Sequence, residues 1–174
     1  MKRFSILLDQ ESLVFSALHL ITFTTESGEL AAEPLHGHDF RVSVVIEGPT
    51  DENSLVADFV AVTKILRAVL EPLHHKAIFP RSSSYFRYRR SGVNTTALLT
   101  LPGGTVRQWS FPTDDIFWLD AANSGTESIA AVLLDRFKTA LTEKRLLHYP
   151  PEEYKITLLL REGPGVAAKV SEQF

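Results

Sequence analysis

Two histidines, His36 and His38, flank a single glycine in the stretch LHGHDF at residues 35–40. Side chains two residues apart point the same way in an extended chain, so both imidazoles can face one point. A catalytic zinc takes three protein ligands and keeps a fourth position open. His19, on a predicted strand that can return antiparallel to the strand beginning at His38, offers a third imidazole. The residues therefore allow a three-histidine metal site; the plainer alternative is one core histidine and two turn histidines.

The composition excludes several other kinds of site. The chain has 174 residues, of which 44% are hydrophobic, a net charge of -3 and no cysteine. Disulfides, thiolate nucleophiles and cysteine-based zinc sites are thereby excluded, and no basic surface indicates nucleic acid. No apolar run approaches the roughly 18 residues of a membrane span, and the start of the chain lacks the cleavage pattern of a signal peptide. We expect one domain over residues 1–174, located in the cytoplasm.

Alternating apolar residues predict the strands that position the histidines. The runs FSILL and LVFSALHLITFTT predict a pair of strands joined near Asp9. The run HDFRVSVVIEG predicts a half-buried strand with Phe40 and Val42 on its buried face. Near the end of the sequence, YKITLLLRE and GVAAKVSE predict a β-hairpin over residues 163–165.

Two segments have the apolar spacing of amphipathic helices. One covers residues 59–73 with Asp58 as its N-cap, and the other begins near residue 126 with Ser124 or Thr126 as its cap. Short strands and a Gly-Gly turn between Phe79 and Ser124 predict an inserted β-hairpin. We therefore expect an α+β domain, in which an antiparallel sheet has two helices on one face and a β-hairpin inserted between them.

Six motifs in chain order resemble the 6-pyruvoyl-tetrahydropterin synthase family, which also contains the 6-carboxy-tetrahydropterin synthases of queuosine biosynthesis. They are FSALH, LHGHDF, VADFVAVTKIL, LHHKAIFP, NSGTESIA and LREGPGVAAKV, and they extend from about Phe15 to Val170. The resemblance implies the tunnelling fold (T-fold), in which trimers close a β-barrel and two trimers stack into a hexamer. It also implies a zinc ion held by His19, His36 and His38.

The resemblance further implies a pterin substrate, usually 7,8-dihydroneopterin triphosphate, whose side-chain hydroxyls the zinc polarises. Glu162 matches the carboxylate that anchors the amino-pyrimidine edge of the pterin by accepting from two N–H groups. Thr126 and Glu127 match the helix start that contacts the pterin. Without the resemblance, Glu162 is an ordinary glutamate at a strand end and Thr126 is a helix cap.

The sequence departs from the family at the catalytic cysteine. Ala32 stands four residues before His36, where the family has that cysteine, and Glu33 follows it. This arrangement resembles an apicomplexan branch in which glutamate replaces the cysteine and the product is 6-hydroxymethyl-7,8-dihydropterin, a folate precursor. A carboxylate near zinc can accept a proton, but it cannot reproduce the chemistry of a thiolate. Read alone, Glu33 is an exposed loop acid.

A second departure lies in LHHKAIFP, where the family has an aspartate followed by a histidine. His75 matches the family's catalytic histidine, and His74 takes the place of the aspartate. His74 can accept a hydrogen bond from His75, but it offers no negative charge to stabilise an imidazolium. We expect a slower reaction, an altered one or none. The plainer alternative is that both histidines end a helix, where the helix dipole favours them.

Three functions follow from the resemblance and its departures. The first is a zinc-dependent lyase that cleaves the side chain of dihydroneopterin triphosphate, or a close relative, with Glu33, His75 and His74 as its catalytic residues. The second is a 6-pyruvoyl- or 6-carboxy-tetrahydropterin synthase, against which the missing cysteine argues. The third is a catalytically impaired homologue that binds zinc and pterin. The discriminating feature is whether Glu33 and His75 face the metal across one pocket.

Overall fold

A computed structural model describes residues 3–174 of the chain. Within this range the chain forms twelve strands and two α-helices. In order they are β1 (Phe4–Leu8), β2 (Val14–His19), β3 (Thr22–Thr24), β4 (Leu30–Ala32), β5 (His36–Gly48), α1 (Phe59–Leu70), β6 (Lys76–Pro80), β7 (Phe86–Ser91), β8 (Asn94–Thr100), β9 (Val106–Pro112), β10 (Ile116–Leu119), α2 (Thr126–Glu143), β11 (Lys155–Gly163) and β12 (Val166–Gln173).

The main sheet has the strand order β10-β6-β2-β5-β11-β12, and β1 also pairs with β5. Strand β5 runs antiparallel to β2 and β11, as the hydrophobic pattern predicts, and β11 and β12 form the predicted hairpin. Strand β6, however, is parallel to both β2 and β10. The prediction of a purely antiparallel sheet is therefore wrong at this end. Parallel neighbours need a long connection, and the inserted segment between β6 and β10 provides one.

The predicted pairing of β1 with β2 is also wrong. Both strands lie along the same edge of β5, where β1 pairs with residues 44–48 and β2 with residues 36–41. The thirteen residues of β5 are long enough for both partners. The intervening segment continues along this edge, and the Val42 amide donates to the Leu13 carbonyl (2.8 Å) within it.

Both helices pack on one face of the sheet, as predicted. The face carries Phe40, Val42, Val44 and Ile46, all fully buried. Helix α1 begins after Asp58, whose carboxylate accepts from two amides of the first turn, so this predicted cap is confirmed. Helix α2 begins after Gly125 and has no side-chain cap, so the prediction of Ser124 or Thr126 as its cap is wrong. Among residues 3–174, no helix is both long and apolar enough to cross a membrane.

The inserted segment is a three-stranded antiparallel sheet, β7-β8-β9, where the sequence predicts a hairpin. The third strand arises because residues 106–112 pair along the whole length of β8. The apolar face of this inserted sheet, with Phe86, Ala97 and Leu99 buried, packs on Phe79 and forms a second hydrophobic core. The insertion is thus packed against the edge of the main sheet that lies next to the histidine strands.

Candidate metal and pterin site

The pairing of β2 with β5 brings the three predicted histidines together. His19 lies directly opposite His36, and Ala17 lies opposite His38. Gly37 separates the two histidines of β5, and a Cβ atom added there would lie 3.0 Å from the Leu18 side chain. The ligand atoms of His19, His36, His38 and Glu162 all lie within 4.8 Å of one another. The proximity that the sequence predicts is therefore present.

Backbone carbonyls fix the tautomers of two of these imidazoles. Nδ1 of His19 lies 2.9 Å from the Ser124 carbonyl oxygen, and Nδ1 of His36 lies 2.8 Å from that of Pro34. A carbonyl only accepts, so each Nδ1 carries a hydrogen, and in the neutral ring Nε2 is then the nitrogen that can bind a metal. Among residues 3–174, the buried Nε2 atoms of His19 and His38 form no hydrogen bond, although a Glu162 oxygen lies near both. This is the arrangement that metal-binding histidines adopt.

Glu162, at the end of β11, brings a carboxylate against these nitrogens. Its Oε1 lies 2.8 Å from Nε2 of His19, 3.1 Å from that of His38 and 4.0 Å from that of His36. A carboxylate this close to imidazole nitrogens calls for a compensating positive charge, which a metal ion or a proton on an imidazole supplies. The donor set, neutral imidazoles with an adjacent carboxylate, matches the ligands that zinc prefers. The residues present therefore fit a zinc ion.

The protonation of His38 is consistent with this role. Burial lowers the pKa of His38, although the Glu162 carboxylate opposes the shift, and the other two histidines of the cluster lower it further. The neutral form, which is the one that ligates a metal, is thereby favoured at neutral pH.

The segment before α2 supports the cluster from outside. The Asn123 side chain donates to the Thr22 carbonyl (2.7 Å) and accepts from the amides of Thr22 (3.2 Å) and Ser124 (2.9 Å). The Ser124 hydroxyl donates to the Leu20 carbonyl (2.7 Å). Sequence reasoning did not assign these roles to Asn123 and Ser124. Both residues lie in the NSG motif, from which the sequence predicted Ser124 as a possible helix cap and no role beside the histidines.

Thr126 and Glu127 separate in the structure. Thr126 is buried, and its hydroxyl donates to Oε2 of Glu162 (2.8 Å), so this hydroxyl orients the carboxylate beside the histidines. Glu127 is exposed in the first turn of α2, where a negative charge complements the helix dipole.

Glu33 lies at the rim of the cluster. Its Oε2 is 4.0 Å from Nε2 of His36, and its side chain is 42% exposed. Its amide donates to the Ile21 carbonyl (3.0 Å), which holds the backbone beside β3. Ala32, the residue in the place of the family's cysteine, packs against the second core. Glu33 thus provides a second carboxylate beside the histidines, in addition to that of Glu162.

His74 and His75 are placed differently from what the sequence suggests. Their rings stack with centroids 3.8 Å apart and planes 28° apart, so neither ring nitrogen is directed at the other ring. Nδ1 of His74 instead accepts from the Ser16 amide (3.1 Å). The hydrogen bond from His75 that the sequence allows is therefore not formed, because the Ser16 amide occupies the acceptor atom of His74.

His75 lines a cleft of about 570 Å³ on the side of β2 that faces away from the helices. Ser16 and Asp39, which are hydrogen-bonded to each other, also border this cleft, as do Lys76 and Asp115. His38 borders it too, but Glu33 is not among the described residues that do so. Within one chain, Glu33 and His75 therefore do not face each other across a single pocket.

Comparison with known proteins identifies the family. The family model described as 6-pyruvoyl tetrahydropterin synthase matches residues 10–150. The chain belongs to this family. A candidate 6-carboxy-5,6,7,8-tetrahydropterin synthase of Methanocaldococcus jannaschii is 24% identical over 119 residues, which cover 68% of this chain and 67% of the archaeal protein.

Solved structures of family members from malaria parasites have the same fold. The 6-pyruvoyl tetrahydropterin synthase of Plasmodium vivax is 22% identical and superposes with a TM-score of 0.83 over 100% of both chains. The Plasmodium falciparum protein is 23% identical, with a TM-score of 0.82 over 99% of both chains. Two further structures of the P. vivax protein are described as catalytic-residue mutants, in which a glutamate is replaced by alanine or by cysteine. The α+β T-fold of this 6-pyruvoyl tetrahydropterin synthase family member is thereby established.

Proposed function

We propose that this family member is a zinc-dependent lyase that cleaves the side chain of 7,8-dihydroneopterin triphosphate, or a close relative, to give 6-hydroxymethyl-7,8-dihydropterin. The observation that carries the proposal is the position of Glu33, whose carboxylate lies 4.0 Å from Nε2 of His36 at the rim of the cluster. The chain has no cysteine, so the thiolate chemistry of the pyruvoyl and carboxy branches has no nucleophile here.

The zinc would be held by His19, His36 and His38, whose ligand atoms lie within 4.8 Å of one another. When bound, the ion acts as a Lewis acid that polarises the side-chain hydroxyls of the substrate. The carbonyl of the buried Ser124 holds the His19 ring in place by accepting the hydrogen bond of its Nδ1. A rigid ligand set of this kind keeps the reacting hydroxyls in one orientation.

Glu162 would anchor the pterin ring. A carboxylate accepts from the two N–H donors of an amino-pyrimidine edge at once, and such charge-assisted bonds are about twice as strong as neutral ones. The Thr126 hydroxyl donates to Oε2 of Glu162 and fixes the plane of the carboxylate. Because Glu162 lies beside the histidines, a ring bound to it would present its side chain to the cluster.

Glu33 would act as the base. It accepts the proton of the second side-chain hydroxyl, whose oxygen becomes an aldehyde carbonyl as the bond between the first and second side-chain carbons breaks. The electron pair of that bond passes into the pterin ring system, and a proton returns to the first carbon, which keeps its hydroxyl. The triphosphate leaves on the aldehyde fragment. The cleavage written in this way requires a carboxylate base and does not require a thiol.

The parasite relatives support this assignment. The P. vivax protein has the same fold over its whole length, and a glutamate is described as its catalytic residue. Another protein with this fold thus has a glutamate that is described as catalytic. We propose that Glu33 has the equivalent role here.

A second candidate, a homologue that binds zinc and pterin without turnover, is favoured by the separation of Glu33 from the cleft that His75 lines, and by His74. Its Nδ1 is occupied by the Ser16 amide, and its ring stacks on His75 without orienting it. The paired acid and histidine of the family are thus replaced by two stacked imidazoles. A third candidate, 6-carboxy-tetrahydropterin synthase activity, has the archaeal relative in its favour and the absence of cysteine against it.

We further propose that the chain assembles as a hexamer of two trimers. Strand β12 ends the described sheet with one long side unpaired, and such an edge is a template for pairing with another chain. Leu7, Val14 and Leu18 expose apolar surface on strands of the same sheet. Light scattering on the purified protein tests this assembly, and a stable monomer would contradict it.

Product analysis tests the reaction. Purified protein is incubated with 7,8-dihydroneopterin triphosphate, with and without a chelator, and the products are identified by mass spectrometry. Chelator-sensitive 6-hydroxymethyl-7,8-dihydropterin, lost in Glu33→Gln, is the expected result. A pyruvoyl or carboxy product would overturn the assignment of Glu33 as the base for cleavage. Zinc binding without any turnover would leave the binding homologue as the function.

A further inference from the structure

We propose that Arg107, on the inserted sheet, is a positioning residue that holds the backbone of Glu33 beside the histidine cluster. The proposal rests on the proposed function, in which Glu33 is the base. Nη1 of Arg107 donates to the carbonyl oxygens of both Ala32 (3.0 Å) and Glu33 (2.8 Å). These bonds join β9 to a segment more than seventy residues earlier in the chain.

The backbone segment that accepts the Arg107 hydrogen bonds has few other stabilising contacts in its own strand pair. Strands β3 and β4 form a separate two-stranded sheet of three residues each. An isolated two-stranded sheet is marginally stable in water. Glu33 lies just beyond the end of β4, and its own amide is held by the Ile21 carbonyl (3.0 Å). Arg107 fixes the other side of the same peptide segment, so the two contacts together define where the Glu33 side chain begins.

The Arg107 bonds are stronger than ordinary backbone contacts because the donor is charged. Arg107 also lines a surface recess together with Pro34, Leu35 and Trp109, next to the second core. Leu35 and Ala32 pack against that core themselves. The inserted sheet therefore supports residues 32–35 in two ways, by apolar packing and by the charge-assisted hydrogen bonds of Arg107. The inserted sheet thereby serves the reaction by positioning Glu33, a role that the sequence does not indicate.

Arg87, on strand β7 at the other edge of the inserted sheet, provides a matched control. Its Nη1 also donates to two backbone carbonyls, those of Ser84 (3.1 Å) and Phe86 (3.0 Å), but both belong to its own strand and the turn before it. Replacing either arginine with methionine removes a charge and two hydrogen bonds while keeping an apolar stem. Only the Arg107 variant releases the Glu33 segment.

The experiment compares Arg107→Met, Arg107→Lys, Arg87→Met, Glu33→Gln and the double variant R107M/E33Q. For Arg107→Met we expect kcat to fall roughly 10- to 100-fold, the range that a displacement of about 1 Å produces, with KM and zinc content unchanged. Arg107→Lys keeps the charge and recovers part of the loss. In the Glu33→Gln background the Arg107 substitution has no further effect, because both act through one carboxylate.

An unchanged kcat in Arg107→Met, an equal fall in Arg87→Met, or an additive loss in the double variant would overturn the proposal. Hydrogen–deuterium exchange separates it from the proposed function. If the wild-type protein turns over no pterin, the proposed function fails by itself. The positioning role then stands if the peptide covering residues 30–36 exchanges faster in Arg107→Met and not in Arg87→Met, and it falls if the two variants match the wild type.

Discussion

Oε1 of Glu162 lies 2.8 Å from Nε2 of His19 inside the histidine cluster. The hydrogen of His19 is on Nδ1, where the Ser124 carbonyl accepts it. The carboxylate is stabilised at this distance by positive charge at the cluster, supplied by a metal ion or by a second proton on the imidazole. This contact therefore places a negative charge beside any cation that the histidines hold.

Removal of one cluster histidine should abolish tight zinc binding. For His36→Ala or His38→Ala we expect zinc affinity to fall more than about 100-fold, beyond the loss that a change outside the ligand set produces. A chelator-competition titration with a zinc-sensitive dye measures the affinity. His148→Ala is the control, because His148 pairs with Asp51 (3.5 Å) in another part of the fold. Unchanged affinity in both cluster variants would refute the metal site.

Glu162→Gln separates a ring anchor from a metal ligand. As an anchor, the carboxylate provides charge-assisted hydrogen bonds worth about 1.5–3 kcal/mol, so its loss should raise KM roughly 10- to 100-fold. Zinc content should stay the same, because the three imidazoles remain. Steady-state kinetics together with metal analysis of the same preparation measures both quantities. Loss of zinc in this variant would mean that Glu162 is a ligand.

The place of the missing cysteine can be tested directly. Ala32 packs against the second core, so a thiol in Ala32→Cys should be shielded and should not change the product. Glu33→Cys puts a thiol where the carboxylate lies near His36, and we expect cleavage to fall about 10²- to 10⁴-fold as the base is lost. Thiol titration and product analysis compare the two variants. Pyruvoyl product from Ala32→Cys would show that residue 32 reaches the substrate.

Most of the cluster could be predicted from the sequence because it depends on local periodicity. The His-Gly-His spacing puts two imidazoles on one face of β5 in any extended conformation, and antiparallel pairing supplies His19. The hydrophobic alternation from Phe40 to Ile46 predicts which face of that strand is buried. These features need only the period of a strand and one chain reversal.

Contacts between distant segments could not be predicted in this way. The stack of His74 on His75 and the bond from the Ser16 amide to His74 depend on the packing of the turn after α1 against β2. The parallel pairing of β6 with β10 and the reach of Arg107 to Glu33 depend on how the insertion folds back. Nothing in the periodicity of one segment encodes its partner across the fold. Tertiary pairing therefore decided each feature that the sequence left open.

His74 should matter for stability more than for turnover. Its Nδ1 accepts from the Ser16 amide (3.1 Å), so His74→Ala should cost about 1 kcal/mol in the free energy of unfolding. His74→Asn keeps an acceptor and should recover part of that loss. His75→Ala, which removes a ring that lines the cleft, should lower kcat more than either variant. Urea unfolding and kinetics on the same variants measure both effects, and a larger kcat loss in His74→Ala would contradict this ranking.

Tyr88 should make the protein lose stability in alkali. Burial raises the pKa of Tyr88 above its ordinary value, and its hydroxyl donates to the Pro80 carbonyl (2.6 Å). In the unfolded chain this tyrosine ionises near pH 10, whereas in the folded chain it keeps its proton to higher pH. Its contribution to the free energy of unfolding is therefore fully present below pH 10 and is lost as the pH rises above 10. The loss should be less than about 1.4 kcal/mol per pH unit, because the group is partly exposed.

Tyr88→Phe should therefore be about 1 kcal/mol less stable at neutral pH, because it loses the bond to Pro80, yet flatter in its pH dependence above pH 10. Urea denaturation between pH 7 and pH 11 measures both. Tyr85→Phe, at a 46% exposed position near the same strand, should leave the slope unchanged. Part of the alkaline slope should remain in every variant, because burial also raises the pKa of Tyr154. A Tyr88→Phe curve parallel to that of the wild type would show that another group causes the alkaline loss.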